Sequence, residues 1–317
     1  MTTNYACAAT TRDGVEVFTL RAPDGATAEV VPALGCNCFA FTTRSPVLEP
    51  VAFAVFRQKP TSYGIPILFP FPNRLRDGRF TFQGQTFEIN PPRHGFVRDK
   101  PWRVLASGAS DEAGAWLTAG FDARDYPEQI LAQFPFPYQL EVTYRLRDGA
   151  LTLATVARNT GTADMPVGFG IHPYFHRPAH GTLTVPANKR WELADSLPTG
   201  RLLDVGDAYD LRREADVSTL QLDDIYTDVS ADADGLVRCT LTDEAVRNQT
   251  VVEFDRRQFP HVVVYTPPAP RQAICVEPNT CPTDAFNLQA RGVAADVLVL
   301  RPGEEREFNI KIYQRRM

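Results

Sequence analysis

Two histidines, an arginine and two acidic residues occupy positions where neighbouring turns or apolar runs would fix their direction. His172 stands in Gly168-Phe169-Gly170-Ile171-His172-Pro173-Tyr174-Phe175. The two glycines let the backbone approach other segments closely, and Pro173 restricts the residue before it. The imidazole is therefore held on a stiff stem among aromatics, a setting suited to a proton donor. Glu277 ends the apolar run Ala273-Ile274-Cys275-Val276 and is followed by Pro278. A carboxylate so placed must be paired, solvated in a cleft or raised in pKa, and at a fixed strand end it can act as a general base. Arg74 closes Gly64-Ile65-Pro66-Ile67-Leu68-Phe69-Pro70-Phe71-Pro72-Asn73. Its planar fork suits hydroxyls or a carboxylate, though a loop carbonyl would also satisfy it. His94 precedes Gly95 on a tight turn, where a hydrogen-bonded structural histidine is the ordinary expectation. Asp223 lies in Gln221-Leu222-Asp223-Asp224, an acidic pair that fits a turn cap as well as a ligand.

Neither Gly-x-Ser-x-Gly nor a phosphate-loop lysine signature occurs. Two imidazoles, one guanidinium and two or more carboxylates leave proton transfer on a neutral polar substrate as the available chemistry. Metal chemistry has little support, and no metal or cofactor is expected. The cysteines stand at Cys7, Cys36, Cys38, Cys239, Cys275 and Cys281. Cys36-Asn37-Cys38 lacks a zinc-spaced partner, and His176 and His180 lie four apart in what reads as an ordinary loop. Reduced, buried thiols are expected.

The elements that must position these groups read as strands. In Gln139-Leu140-Glu141-Val142-Thr143-Tyr144-Arg145-Leu146 the even positions are apolar, and Asp148-Gly149 then leads to Leu151 and Leu153. Alternating runs around Asp-Gly predict a hairpin. Arg79-Phe80-Thr81-Phe82, Gln83-Gly84, then Phe87 and Ile89 repeat the device, and Phe308, Ile310 and Ile312 alternate near the end. Further strands are expected at Val15–Leu20, Val51–Phe56, Trp102–Ala106, Leu236–Leu241, Thr250–Phe254 and His261–Thr266, the last buried on both faces. One short helix is expected from a cap at Asp125 through Gln133, with Pro127 in its first turn.

The 317 residues carry 33 Lys+Arg against 38 Asp+Glu, a net charge of −5, with 44% hydrophobic and 22% charged residues. That is an ordinary globular balance rather than a disordered one. Without a basic block, nucleic acid is not an expected partner. Nor is a membrane, because no 18 apolar residues run together. The opening residues MTTNYACAATTRDG show no basic stretch leading into an apolar core, and a cytoplasmic location is expected. No linker or composition shift divides the chain. The expectation is an all-β single domain over residues 1–317, two large, mostly antiparallel sheets packed face to face, with few short helices.

In order, Asn73-Arg74 with Gly78, His94-Gly95, Gly170-Ile171-His172-Pro173-Tyr174-Phe175, Leu222-Asp223 and Val276-Glu277-Pro278 resemble the aldose 1-epimerase (galactose mutarotase) family, from about Gly64 to the C-terminal strand. The resemblance implies a β-supersandwich and interconversion of the α and β anomers of an aldose, with a small sugar as the partner and a monomer or homodimer as the assembly. It implies that Glu277 is the general base at the C1 hydroxyl and His172 the general acid at the ring oxygen, on opposite sides of the bond. Arg74, His94 and Asp223 would hold the sugar, with Asp224 as the neighbouring choice for the last. His94-Gly95-Phe96-Val97-Arg98 is also similar to the hexose-6-phosphate epimerase branch, in which Arg93 and Arg98 would meet a phosphate. Asn73-Arg74 resembles the unphosphorylated branch, and pairing of Arg98 with Asp99 would remove it from binding, so a free aldose is the expected substrate. A non-catalytic carbohydrate-binding protein on the same scaffold is the other-class alternative. A glycoside hydrolase would want two carboxyl groups flanking a bond.

Overall fold

Period-2 patterning becomes strand almost wherever it is read in the computed structural model, which describes residues 4–317. Tyr138–Arg147 and Ala150–Asn159 pair antiparallel with Arg147 opposite Ala150. Asp148 and Gly149 form the two-residue turn between them at φ of 50° and 70°, the left-handed pair whose twist matches the flanking strands. Leu140, Val142, Tyr144 and Leu146 are all buried. The second hairpin joins Arg79–Phe82 to Gln85–Glu88 through Gln83-Gly84.

Two large sheets dominate. The nine-stranded one runs from Ala215–Asp216 through Gly181–Thr184, Leu236–Asp243, Asn248–Asp255, Glu305–Arg316, Ala150–Asn159, Tyr138–Arg147 and Gly114–Asp122 to Arg103–Ser110. The eight-stranded one runs from Leu197–Asp204 through Ala187–Ala194, Asp223–Val229, His261–Tyr265, Ala273–Asn279 and Gly170–Ile171 to Ile67–Leu68, and Tyr174–His176 also pairs with Ala273–Asn279. Every pairing in both is antiparallel. Tyr144, Leu153 and Ile310 of the first sheet join Tyr226, Val264 and Val276 of the second in one apolar core, so the sheets pack face to face as expected. Residues 6–42 add a four-stranded sheet.

Strand alternation decides what the other face of the eight-stranded sheet carries. Asp223 lies opposite Tyr265, Tyr265 opposite Cys275, Tyr174 opposite Cys275, and Val263 opposite Glu277. These residues alternate with core members Tyr226, Val262, Val264 and Val276, and so point away from the core. Part of this outer face is closed by the short helix Ala285–Ala290, whose Ala285 and Leu288 cover Ile225 and Val263. The rest is left open as the floor of a cavity.

Two expected elements differ. Val51–Phe56 is not a strand: Phe53–Gln58 is helical. Phe53 and Phe56, three apart, meet one ring, Phe39, at 5.5 and 4.7 Å between centroids, and that tertiary anchor outweighs the local alternation. The helix expected from Asp125 is instead two tight turns, Ala123–Asp125 and Pro127–Leu131, the second a π-helical turn. The first is capped by Asp122, which accepts from the Arg124 backbone N–H at 2.9 Å. The strand expected at Trp102–Ala106 runs as the exposed edge strand Arg103–Ser110. Among the described residues no helix is long and apolar enough to cross a membrane.

Candidate active site

The open part of that outer face forms a cavity of ≈ 360 Å³ lined by Arg74, His94, His172, Asp223 and Glu277, all five of the residues read from the sequence. Its volume falls at the small end of the ligand-site range. Larger depressions of ≈ 460, 570 and 550 Å³ exist elsewhere, but no histidine lines any of them.

Glu277 and His172 come together from two antiparallel segments. Gly170 pairs with both Leu68 and Asn279, and a Cβ on Gly170 would sit 1.8 Å from the Asn279 Oδ1. Only glycine admits this approach. It places His172, two residues on, against Glu277, with Nε2 3.2 Å from Oε1. The two stand side by side rather than on opposite sides of the cavity, a correction to the arrangement expected. His172 stacks on Tyr174, ring centroids 4.6 Å apart.

Burial works against charge on either partner. It holds the Glu277 carboxyl well above the usual range, reinforced by the charge of Asp223 and opposed by Arg74 and Arg93. It lowers His172 to about 3, with Arg98, Arg93 and Arg271 pushing the same way and its own backbone opposing. Burial thus favours the uncharged form of each partner, the carboxylic acid of Glu277 and the neutral imidazole of His172.

His94 is fixed by the turn it sits on. Asn73 and His94 have φ of 57° and 63°, the His94 N–H donates to the Asn73 carbonyl at 2.6 Å, and the Asn73 N–H donates to His94 Nδ1 at 3.2 Å. That last bond assigns the ring proton to Nε2. Burial, with the cations around it, holds His94 well below the usual histidine range, so it is a neutral donor. Gly95 is required here: at φ 66° its Cβ would sit 1.9 Å from the Phe69 carbonyl oxygen. Arg74 reaches Asp223, Nη2 to Oδ2 3.5 Å, and donates to Asn73 Oδ1 at 3.2 Å. Of the two aspartates, alternation puts Asp223 in the cavity, while Asp224 faces the other way and approaches Arg190 at 3.7 Å.

Tyr174 and Tyr265 also line the cavity. Tyr265 is legible in principle, two residues from Val263 on one strand face. Arg271 is not. It lies over Tyr63 and Tyr174, 4.2 and 5.0 Å from the ring centroids, and is clamped by Glu49, 222 residues away, so no local signal could reveal it. One potential ligand set, His172, Cys275 and Glu277, has its donor atoms within 4.8 Å of one another. Burial holds both the Cys275 thiol and the Glu277 carboxyl well above their usual values, so a cation there would displace two protons. All six cysteines are free, and all but Cys7 are buried.

Comparison with known proteins extends the likeness beyond the motifs. A galactose mutarotase-like protein from Clostridium acetobutylicum superposes with a TM-score of 0.89 at 22% identity, covering 99% of both chains. Galactose 1-epimerase from Lactobacillus acidophilus superposes at 0.78 with 14% identity, again over 99% of both. At those identities the likeness is one of fold, and it agrees with the β-supersandwich described above. The uncharacterized protein YihR of Escherichia coli K12 is 26% identical over 265 residues, 79% of each chain. The family model for aldose 1-epimerase matches residues 16–313, reaching back into the four-stranded sheet, well before the first motif at Gly64. With the cavity built on the motifs of that family and the match running nearly end to end, the chain belongs to the aldose 1-epimerase family.

Proposed function

We propose that the cavity opens and recloses the ring of an aldopyranose, exchanging its anomers. The observation that carries the reading is the Glu277–His172 pair, 3.2 Å apart on a buried floor. The hydroxyl oxygen and the ring oxygen of a hemiacetal are bonded to the same carbon, so an acid and a base standing side by side can reach both. Glu277 takes the proton from the C1 hydroxyl as the C1–ring-oxygen bond breaks, and His172 delivers a proton to the ring oxygen. Rotation about C1–C2 and closure on the other face give the second anomer, the two protons returning by the same route.

The proton count fits a buried pair. Ring opening converts carboxylate and imidazolium into carboxylic acid and imidazole, the uncharged forms that burial favours. The resting pair already holds one proton. Shifting it from Oε1 to Nε2 changes no net charge and primes the pair for the next sugar. Arg74, Asp223 and the Nε2–H of neutral His94 are the groups available to orient the hydroxyls.

A non-catalytic sugar-binding protein would need hydrogen-bonding groups but no buried carboxyl against a buried imidazole, and that pair favours the enzyme. The test is polarimetry, or saturation-transfer NMR, on an α-aldose panel with Glu277→Gln. The variant should lose about 10²–10⁴-fold in anomerisation rate while keeping its fold. Wild-type rates from a folded variant would remove Glu277 from the reaction.

A further inference from the structure

An imidazole that moves protons is ordinarily aimed by a hydrogen bond at its other ring nitrogen. His172 lacks that device. Its Nε2 faces Glu277, while its buried Nδ1 makes no hydrogen bond to another of the described residues. Packing must therefore hold the ring. Among the described residues one ring stacks on it, Tyr174, with centroids 4.6 Å and planes 17° apart. His94 and Tyr265 meet it only edge-on, at 5.5 and 6.0 Å. The direction of the imidazole is thus set by whatever fixes the plane of Tyr174.

That plane is fixed from outside the cavity. The Arg271 guanidinium lies over the Tyr174 ring at 5.0 Å and over Tyr63 at 4.2 Å, the attractive geometry of a cation on an aromatic face. Arg271 is held in turn by Glu49, a carboxylate only 7% exposed. Its Nε donates to the two carboxylate oxygens at 3.0 and 2.9 Å. Its Nη2 donates to Glu49 Oε2 and, at 2.9 Å, to the Ser62 carbonyl. The Gln272 N–H adds a bond to Glu49 Oε1 at 3.0 Å. The backbone of Glu49 completes the loop, its N–H donating to the Tyr174 carbonyl at 2.8 Å. One residue therefore grips both the main chain of the tyrosine and the cation that covers its ring. A planar fork can make these bonds and lie on the rings at once, which a lysine cannot. Neither Glu49 nor Arg271 lines the cavity.

We infer that Glu49 and Arg271 are positioning residues, which act through Tyr174 to hold the His172 imidazole in line with Glu277. The inference rests on the reading of Glu277 and His172 as the acid–base pair at C1. Because neither residue reaches the sugar, their loss should fall on turnover rather than on binding. Arg271→Met should lower kcat for anomerisation by about 10–100-fold, the cost of a misdirected proton donor, and shift KM by less than about threefold. Glu49→Gln, which keeps one acceptor, should lower kcat by at least about threefold. Arg271→Lys, which restores the charge without the fork, should stay low. Tyr174→Leu should lose kcat as well, with Tyr174→Phe recovering most of it, and adding Arg271→Met to Tyr174→Leu should cost little more than either alone. The chain has five histidines, few enough to follow His172 by NMR. In the wild-type protein its carbon-bound ring protons should be moved upfield by the Tyr174 ring, and Arg271→Met should return them toward ordinary positions. Should a variant fail to fold, the wild-type signals still decide. The positioning role is overturned by unshifted His172 signals, by wild-type kcat in folded Arg271→Met, by a loss confined to KM, or by full recovery in Arg271→Lys. Glu277→Gln assayed alongside separates the two readings. Wild-type rates there remove the acid–base pair itself, whereas a loss there beside full kcat in Arg271→Met removes the positioning role alone.

Discussion

Glu277 and His172 approach to 3.2 Å where burial disfavours charge on either, so over a wide pH range the pair carries a single proton that can sit on oxygen or on nitrogen. Adding a second proton means charging His172, which is held at about 3. Removing the shared one means charging Glu277, which is held well above the usual carboxyl range. The proposed mechanism needs the singly protonated pair, and its apparent pKa values belong to the pair rather than to either residue. The profile of kcat/KM against pH should therefore be flat through neutrality, with an acid limb well below the ordinary histidine value. An acid limb centred near 6.5 in NMR exchange rates would mean that His172 titrates as a lone imidazole and would defeat the shared-proton account. At this scale the sequence was legible where local context was strong: Gly170 and Pro173 mark His172, and Pro278 marks Glu277. Their protonation was not legible, because it depends first on burial and then on charges such as Asp223 and Arg74 at Glu277 and Arg98 and Arg93 at His172, all of which only the fold brings about.

Between neighbouring aspartates, one strand register assigns opposite tasks. Asp223 pairs with Arg74 in the cavity, and Asp224 lies on the opposite face of the strand beside Arg190. Asp223→Asn should raise KM by about 10–100-fold. Asp224→Asn should leave steady-state rates within about twofold and lower stability by about 1–2 kcal/mol, read by denaturant titration. The reverse pattern would show that the strand is slipped by one residue. Alternation of this kind is what made the hairpins readable from Leu140 to Leu153. It failed at Val51–Phe56, where a six-residue helix is held by contact with Phe39, a partner that period alone cannot supply. Sheet order was beyond reach for the same reason. Gly170 pairing with Leu68 and Asn279 depends on a backbone approach visible only as three isolated glycine, leucine and asparagine positions.

A buried carboxyl is also a burden on the whole molecule. Because the folded-state pKa of Glu277 lies above its ordinary 4.5, the native state holds a proton that the unfolded chain releases. Its contribution to stability is full below about pH 4.5 and is lost as pH rises toward the folded value. His172 has the opposite sign: its folded value of about 3 lies below 6.5, so stability is lost as pH falls through that window. Glu277→Gln removes the first effect and keeps the second. The melting temperature of the variant relative to wild type should therefore grow as pH is raised from about 4.5 through neutrality, and a difference that stays constant with pH would show that the carboxyl is not desolvated. The all-β architecture was evident from period and turn chemistry, while the way the chain divides its labour between two sheet surfaces was not. That division has an evolutionary consequence. In the strands Asp223–Val229, His261–Tyr265 and Ala273–Asn279, odd-numbered positions such as Asp223, Tyr265 and Glu277 meet the cavity, while even-numbered ones such as Tyr226, Val264 and Val276 meet the interior. A lineage can therefore drift in ligand preference along one parity of residues while the other preserves the scaffold, so that divergent chemistries descend from a single frame without an intervening loss of folding.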